Sequence, residues 1–138
     1  MKVLIVEARY HGGIADALVD GATAALQKGW ARFERLSVPG ALEIPIAIAM
    51  AARRYDGFVA LGCVIRTGSF HFEMIAAESA HGLMRVGIDH HLCIGNGILA
   101  AENEDEALRL ADVSRGDAGG EAARACLALM QWRVRLSP

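Results

Sequence analysis

The sequence predicts an α/β fold with three layers, in which helices cover both faces of a four-stranded parallel sheet. Short apolar runs alternate along the chain with amphipathic stretches of helical spacing, a pattern typical of βαβ units. Right-handed crossovers between parallel strands place helices on both faces of such a sheet. Hydrophobic residues make up 54% of the 138-residue chain, enough for a substantial core. We therefore expect residues 1–138 to form a single domain.

The elements follow from local patterns in chain order. Apolar or alternating runs predict strands at residues 3–6, 33–38, 57–64 and 91–95. Helical spacing predicts helices at residues 14–26, 41–52, 70–86 and 121–133, with a further helix capped by Asn103 and opening with three acidic residues. Gly29 and Gly87 are expected helix ends, and residues 116–120 are expected to break the chain before the last helix.

Composition excludes several functional classes. The net charge is −2 and the fourteen basic residues are scattered, which argues against nucleic acid as a partner. No stretch approaches the roughly 20 uninterrupted apolar residues of a membrane-spanning helix. The first eleven residues have the pattern of a strand rather than of a signal peptide, so we expect a cytoplasmic protein.

Cysteine and histidine spacing predicts no metal site. The chain has 3 cysteines and no CxxC pair, and buried free thiols are the expected state. None of the 5 histidines forms a spacing typical of zinc ligands.

Ligands of open parallel sheets bind where strands pass into helices. That rule selects four loops, at residues 8–13, 38–43, 64–71 and 95–103. The third loop combines Thr67, Gly68 and Ser69 with the start of a helix, a combination suited to a phosphate or another anion. His71 falls in the first turn of that helix, where the helix dipole favours a neutral imidazole that can transfer protons near pH 7. The alternatives are that Ser69 only caps the helix and that His71 packs or faces water.

Two other loop residues are candidates for binding. Glu43 follows the second strand among apolar residues, where its carboxylate would accept hydrogen bonds from a polyol or an amine; the alternative is an ordinary acidic residue in a first helical turn. Tyr10 would stack on a flat ring, and the alternative is edge packing at a strand end.

Five segments together carry a resemblance to a known family. They are Ala8-Arg9-Tyr10, VPGALEIP, ALGCVIRTGSFHFE, IGNGIL followed by AENEDEA, and a Gly-rich turn before an EAAR helix. In this order and spacing they resemble lumazine synthase over nearly the whole chain. The resemblance implies a flavodoxin-like three-layer fold, assembly into homopentamers, and active sites shared between neighbouring subunits.

The resemblance also implies a reaction. A ribitylaminouracil condenses with 3,4-dihydroxy-2-butanone 4-phosphate to give 6,7-dimethyl-8-ribityllumazine, with release of phosphate and water. Schiff-base formation, phosphate elimination and ring closure need proton transfers, and no metal or organic cofactor. Holding two reactants together in a dry pocket supplies on the order of 7–11 kcal/mol in favourable cases.

The family's functional residues map onto positions of this chain. His71 would transfer protons, Tyr10 would stack on the pyrimidine, and Glu43 would bind ribityl hydroxyls. The other implied substrate-binding residues are Ala41, Leu42, Val64 and Ile65 for the pyrimidine pocket, Gly68 and Ser69 for the phosphate, and Asn96 and Ile98 from a neighbouring subunit.

The chain departs from the family pattern around the phosphate. Leu110 aligns with a usual phosphate-binding arginine, and Gly116 and Ala118 lie where lysines are usual. We expect Arg115 to supply the missing charge, from a flexible segment that could swing toward Gly68 and Ser69. Arg109 is the second choice. It lies one residue before Leu110, and one step along a helix turns a side chain by about 100°, which should aim Arg109 away from the place that Leu110 occupies.

Two other functions compete with the enzyme. A non-catalytic paralogue could bind a lumazine or a flavin on the same scaffold, which the missing phosphate-site cations favour and the intact His71 and Glu43 oppose. The other, from fold analogy alone, is a flavodoxin-like module, but the phosphate loop that such proteins have after the first strand is missing here.

Overall fold

The computed structural model describes residues 1–9, 12–68 and 70–138. Within these residues lie four strands and five helices. The strands are β1 (Lys2–Ala8), β2 (Arg32–Val38), β3 (Gly57–Ile65) and β4 (Ile94–Ala101). The helices are α1 (Gly12–Lys28), α2 (Glu43–Ala51), α3 (Phe70–His90), α4 (Glu104–Ala111) and α5 (Ala118–Leu136).

The four strands form one parallel sheet in the order β2-β1-β3-β4. All four strands therefore end at the same edge, where the loops leading to the helices begin. β1 and β3 are central, and their near-continuous apolar sequences suit strands that are buried on both faces. The predicted α/β fold with a four-stranded parallel sheet is confirmed.

Successive side chains of a strand point to opposite faces, so the sheet divides the core into two clusters. Val3 and Ile5 of β1 pack in one cluster with α1, α4 and α5. Leu4 and Val6 pack in the other with α2 and α3. The first cluster also contains Cys93 and Cys126, which are buried free thiols as predicted.

The fourth strand was predicted too early and too short. The prediction gave residues 91–95, whereas β4 is Ile94–Ala101, because Gly95 and Gly97 were taken as loop residues. Both glycines lie in the strand: a Cβ on Gly95 would overlap the carbonyl oxygen of Ala122, and one on Gly97 would lie 3.1 Å from the Cβ of Ala122. The missing side chains let α5 pack directly on the strand.

Two of the helix boundaries that were predicted from glycines were also wrong. α3 continues through Gly87 to His90, and His91 has a positive φ of 54° just after it. α5 begins at Ala118 rather than at residue 121, because Asp117 caps it by accepting a hydrogen bond from the Gly120 amide. The cap predicted at Asn103 is confirmed, since its side chain accepts from the Glu106 amide at 2.8 Å.

None of the helices in the described part of the chain is both long and apolar enough to cross a membrane.

Candidate functional site

A cavity of about 220 Å³ opens at the carboxyl edge of the sheet. The ends of β1 and β3, the β2–α2 connection and the first turns of α3 enclose it. We call this cavity the central pocket; its lining residues are Ala8, Pro39, Gly40, Ala41, Cys63, Val64, Ile65, Thr67, His71, Phe72 and Ile75. Four residues predicted for the site therefore share one cavity: Ala41, Val64, Ile65 and His71.

The β3–α3 loop brings His71 to the pocket. Gly68 lies between the lining residues Thr67 and His71 and has a φ of 79°, a left-handed conformation that other residues rarely adopt. His71 is exposed, and no side-chain hydrogen bond holds it among the residues that the structure describes. Its position is therefore set by the backbone at the start of α3.

Arg66 joins three elements beside the pocket. It follows the last residue of β3, and its side chain donates to Glu102 after β4 at 2.8 Å and to Glu73 in α3 at 2.5 Å. Its guanidinium carbon lies 4.5 Å from the ring centre of Phe72, which lines the pocket. Hydrogen bonds to Glu102 and Glu73 raise the pKa of Arg66, and the bond from Arg66 lowers the pKa of Glu73.

The β2–α2 connection forms the opposite wall. Ala41 lines the pocket, and the carboxylate of Glu43 bends back toward Gly40, where a Cβ would lie 3.1 Å from Glu43 Oε1. Glu43 is thus at the rim. Leu42 does not line the pocket but a groove between α2 and α3.

Asn96 and Ile98 lie elsewhere. The fourth loop was predicted at residues 95–103, but residues up to Ala101 belong to β4, so both residues are within a strand. Asn96 accepts a hydrogen bond from the Ile98 amide at 2.9 Å. Asn96 also lines a second cavity, of about 430 Å³, beside the outer strand of the sheet. We call it the edge cavity; it is lined by Asn96, Gly97, Leu99, Leu110, Gly116, Ala118, Glu121, Ala122 and Ala125.

The positions that depart from the family pattern also meet at the edge cavity. Leu110, Gly116 and Ala118 line it. Arg115 is exposed in the α4–α5 connection next to Gly116, whose amide donates to the Arg109 carbonyl at 3.1 Å. The α4–α5 connection that carries Arg115 borders the edge cavity, and the predicted swing of Arg115 toward Gly68 and Ser69 stays a prediction.

Tyr10 and Ser69, predicted to bind the pyrimidine and the phosphate, lie outside the described residues. Among the described residues, no group of three or more histidine, cysteine, aspartate or glutamate side chains could hold a metal ion.

The sequence interpretation missed several pocket residues. Cys63 was expected to be a buried thiol; it is half-buried in the pocket wall, and burial raises its pKa to about 11. Ile75 lies four residues after His71 and three after Phe72, a helical spacing that could have placed Phe72 and Ile75 on the pocket side of α3. The bridge from Arg66 to Glu102 could not be predicted from a local pattern, because the two residues are far apart in sequence.

A charged cluster around one buried carboxylate lies directly behind the pocket. Glu7 precedes the lining residue Ala8, is 3% exposed, and accepts hydrogen bonds from Arg9 at 2.8 Å and from Arg35 at 2.7 and 3.1 Å. Arg9 also pairs with Asp16 of α1. Burial by itself raises the pKa of Glu7, but the bonds from Arg35 and Arg9 outweigh it and hold the pKa below its usual value.

Comparison with known proteins decides the family. A model of the 6,7-dimethyl-8-ribityllumazine synthase family matches residues 1–133. The chain belongs to this family. Proteins with that name from Erythrobacter litoralis and Novosphingobium aromaticivorans are 52% and 53% identical to it; the matches cover 97% and 99% of this chain and 96% and 99% of the relatives. One from Methylocella silvestris is 54% identical over 91% of this chain and 81% of its own length.

Family membership confirms the resemblance inferred from the motifs. The match includes the segments around the central pocket and those around the edge cavity, since both lie within residues 1–133. It gives no support to the non-catalytic binding protein or to the flavodoxin-like module considered from the sequence.

Proposed function

We infer that this chain is a transferase that condenses 5-amino-6-(D-ribitylamino)uracil with 3,4-dihydroxy-2-butanone 4-phosphate. The product is 6,7-dimethyl-8-ribityllumazine, the precursor of riboflavin, and phosphate and water are released. The observation that carries this inference is a pocket, in a member of this family, that joins His71 with Ala41, Val64 and Ile65 at the carboxyl edge of the sheet.

The pocket suits the two substrates in different ways. Its wall of Ala41, Val64 and Ile65 is apolar, as a planar pyrimidine requires, and Glu43 at the rim accepts hydrogen bonds from ribityl hydroxyls. The left-handed Gly68 exposes backbone at the start of α3, where amides and the helix dipole favour the phosphate. We assign Tyr10 to the ring and Ser69 to the phosphate on the family pattern alone.

His71 lies where the proton transfers of the condensation occur. Schiff-base formation loses water, and phosphate elimination removes a proton from the carbon chain. An imidazole at the first turn of α3 serves both steps, because it can accept a proton and donate one. General acid–base residues typically contribute about 10²–10⁴-fold.

We propose that a second copy of the chain completes the site, in a homopentamer. The central pocket, at about 220 Å³, is smaller than the roughly 300–1,000 Å³ of typical ligand pockets. Asn96, which the family pattern assigns to the site, lines the edge cavity instead. Arg115, which we expect to replace the missing phosphate-binding arginine, lies beside that cavity. Exposed apolar side chains also follow one face of α2 and α3, namely Ile46, Met50, Met84 and Ile88, as expected of a surface that another subunit covers.

The decisive experiment is incubation of the purified protein with both substrates while lumazine fluorescence is recorded. We expect turnover that depends on both substrates. Binding of added lumazine without turnover would instead indicate a non-catalytic protein. Light scattering at micromolar concentration tests the assembly, and a monomer would contradict both the pentamer and the shared site. The cytoplasmic location and the single domain stay predictions.

A further inference from the structure

Arg66 has an unusual set of contacts for an exposed arginine. Its side chain is 41% exposed, yet it contacts two carboxylates and an aromatic ring from two other elements. Its backbone amide also donates to the Ala101 carbonyl at 2.9 Å, which continues the pairing of β3 with β4. Arg66 therefore ties the start of α3 to the ends of both strands.

These contacts bear on the residues next to His71. Phe72 under the guanidinium and Glu73 bonded to it are the two residues that follow His71 in the first turn of α3. Glu102, the other partner, stands at the end of β4 and is independent of the helix. Since the imidazole has no hydrogen-bond partner in the described part of the chain, this turn fixes where it points.

Stability does not explain the arrangement. Exposed ion pairs typically contribute about 0–1 kcal/mol, and Glu73 and Glu102 are themselves 52% and 59% exposed. Geometry matters more in an active site, where a displacement of about 1 Å can cost on the order of 10²-fold in rate.

We propose that Arg66 is a positioning residue for the condensation: by bridging Glu102 and Glu73 over Phe72, it fixes the first turn of α3 and thereby the imidazole of His71. This inference rests on the proposed function. Arg66 touches neither substrate in this assignment and acts through His71.

The planar guanidinium is needed for this role. It donates from two different nitrogens to two carboxylates and lies over an aromatic ring, which a single ammonium group does not reproduce. A lysine at position 66 keeps the charge but loses the bridge. Charge and geometry can therefore be separated by substitution.

The test compares Arg66→Lys and Arg66→Met with the unchanged protein in kcat and in KM for each substrate. We expect Arg66→Lys to lower kcat about tenfold and to leave KM for the butanone phosphate nearly unchanged. Arg66→Met should lower kcat similarly and also raise that KM, because two carboxylates then lack their counter-charge near the phosphate loop. Arg85→Met is the matched control, since it removes an arginine paired with Asp89 on the same helix.

A double-mutant cycle with His71→Ala distinguishes positioning of His71 from a general stabilisation of the protein by Arg66. In the His71→Ala protein, Arg66→Lys should cost no further kcat, because the residue it positions is gone. A further tenfold loss in that background would overturn the inference, as would unchanged kcat in Arg66→Lys. Glu102→Gln, which removes one half of the bridge, should reproduce a smaller part of the effect. If the unchanged protein itself forms no lumazine, the proposed function has failed instead.

Discussion

The central pocket and the edge cavity are built differently, although both adjoin the same sheet. The central pocket lies at the carboxyl edge, where the ends of β1 and β3, the β2–α2 connection and the start of α3 supply a histidine, a left-handed glycine and apolar walls. The edge cavity lies along the outermost strand, where Gly97 and the small residues of α5 bring a helix close to β4. The central pocket therefore has residues suited to a reaction, whereas the edge cavity lies where a helix packs closely on a strand.

The difference shows how the family pattern is distributed over the fold. His71, Ala41, Val64 and Ile65 lie at the first region, whereas Asn96 and the altered positions Leu110, Gly116 and Ala118 lie at the second. We therefore propose that a single chain holds two incomplete halves of a shared site. In our proposal the central pocket of one subunit faces the edge cavity of the next, so each region can be tested by itself.

The largest expected effect is at the edge cavity, from Gly95→Ala. The added Cβ would overlap the Ala122 carbonyl oxygen, which belongs to the helix backbone and cannot turn aside. Overpacking of this kind costs about 3 kcal/mol or more, on the order of ten degrees in Tm. Thermal unfolding followed by circular dichroism measures it.

Gly62→Ala is the control for that substitution. It also adds a methyl group to a strand glycine, but its nearest neighbours would lie at 3.7–3.8 Å, an ordinary contact distance. We expect little change in Tm. Equal Tm values for the two variants would show that α5 does not pack on β4 as closely as described.

The next effect is at the central pocket, from His71→Ala. We expect kcat to fall about 10²-fold, the low end for general acid–base residues, because solvent and phosphate can replace part of the proton transfer. The Tm should stay the same, since the side chain is exposed. His81→Ala, on the same helix and 77% exposed, is the control, and an unchanged rate in His71→Ala at saturating substrates would remove His71 from the mechanism.

The sheet and part of the central pocket could be predicted from the sequence. The packing of α5 on β4 and the direction of some side chains could not, for physical reasons. The apolar runs of β1 and β3 fixed the sheet because buried parallel strands need no polar face. Gly95 suggested a turn because sequence alone does not distinguish a glycine that bends the chain from one that admits a helix. Leu42 was placed with Ala41 because the family resemblance implies both for the pyrimidine pocket, yet near a helix start successive side chains point in different directions.

A smaller effect is expected from Arg115→Ala, since Arg115 lies beside the edge cavity and in our proposal acts at the central pocket of the next subunit. Removing a charge-assisted hydrogen bond costs about 1.5–3 kcal/mol, so KM for the butanone phosphate should rise roughly tenfold. KM for the pyrimidine substrate should stay unchanged. Arg109→Ala, measured in the same way, tests the second candidate. Steady-state kinetics with each substrate varied in turn measures both constants.

Mixed oligomers show from which subunit Arg115 acts. His71→Ala and Arg115→Ala chains, coexpressed, should form some sites with both residues intact if the site is shared. At low butanone phosphate the mixture should then exceed the average of the two separate variants. Activity equal to that average would place both residues in one chain's site and contradict our pairing of pocket and cavity.

The smallest effect concerns Glu7, behind the central pocket, and it depends on pH. Its pKa is lowered in the folded protein from a usual value of 4.5, so its bonds to Arg9 and Arg35 stabilise the fold fully above about pH 4.5 and are lost as the pH falls through the folded pKa. Glu7→Gln has no such titration. The unfolding free energy should therefore be lower in Glu7→Gln than in the unchanged protein at pH 7, and the difference should shrink below pH 4.5.

Urea unfolding at several pH values between 7 and 3 measures this difference, with Asp20→Asn, an exposed carboxylate on α1, as the control for loss of one charge. Breaking a buried ion pair is costly because the remaining charges stay buried without a partner. Arg9 and Arg35 are partly exposed, at 33% and 48%, so water compensates them in part and the effect is modest. A difference that stays constant from pH 7 to pH 3 would mean that packing, rather than the carboxylate's charge, is what Glu7 contributes behind the pocket.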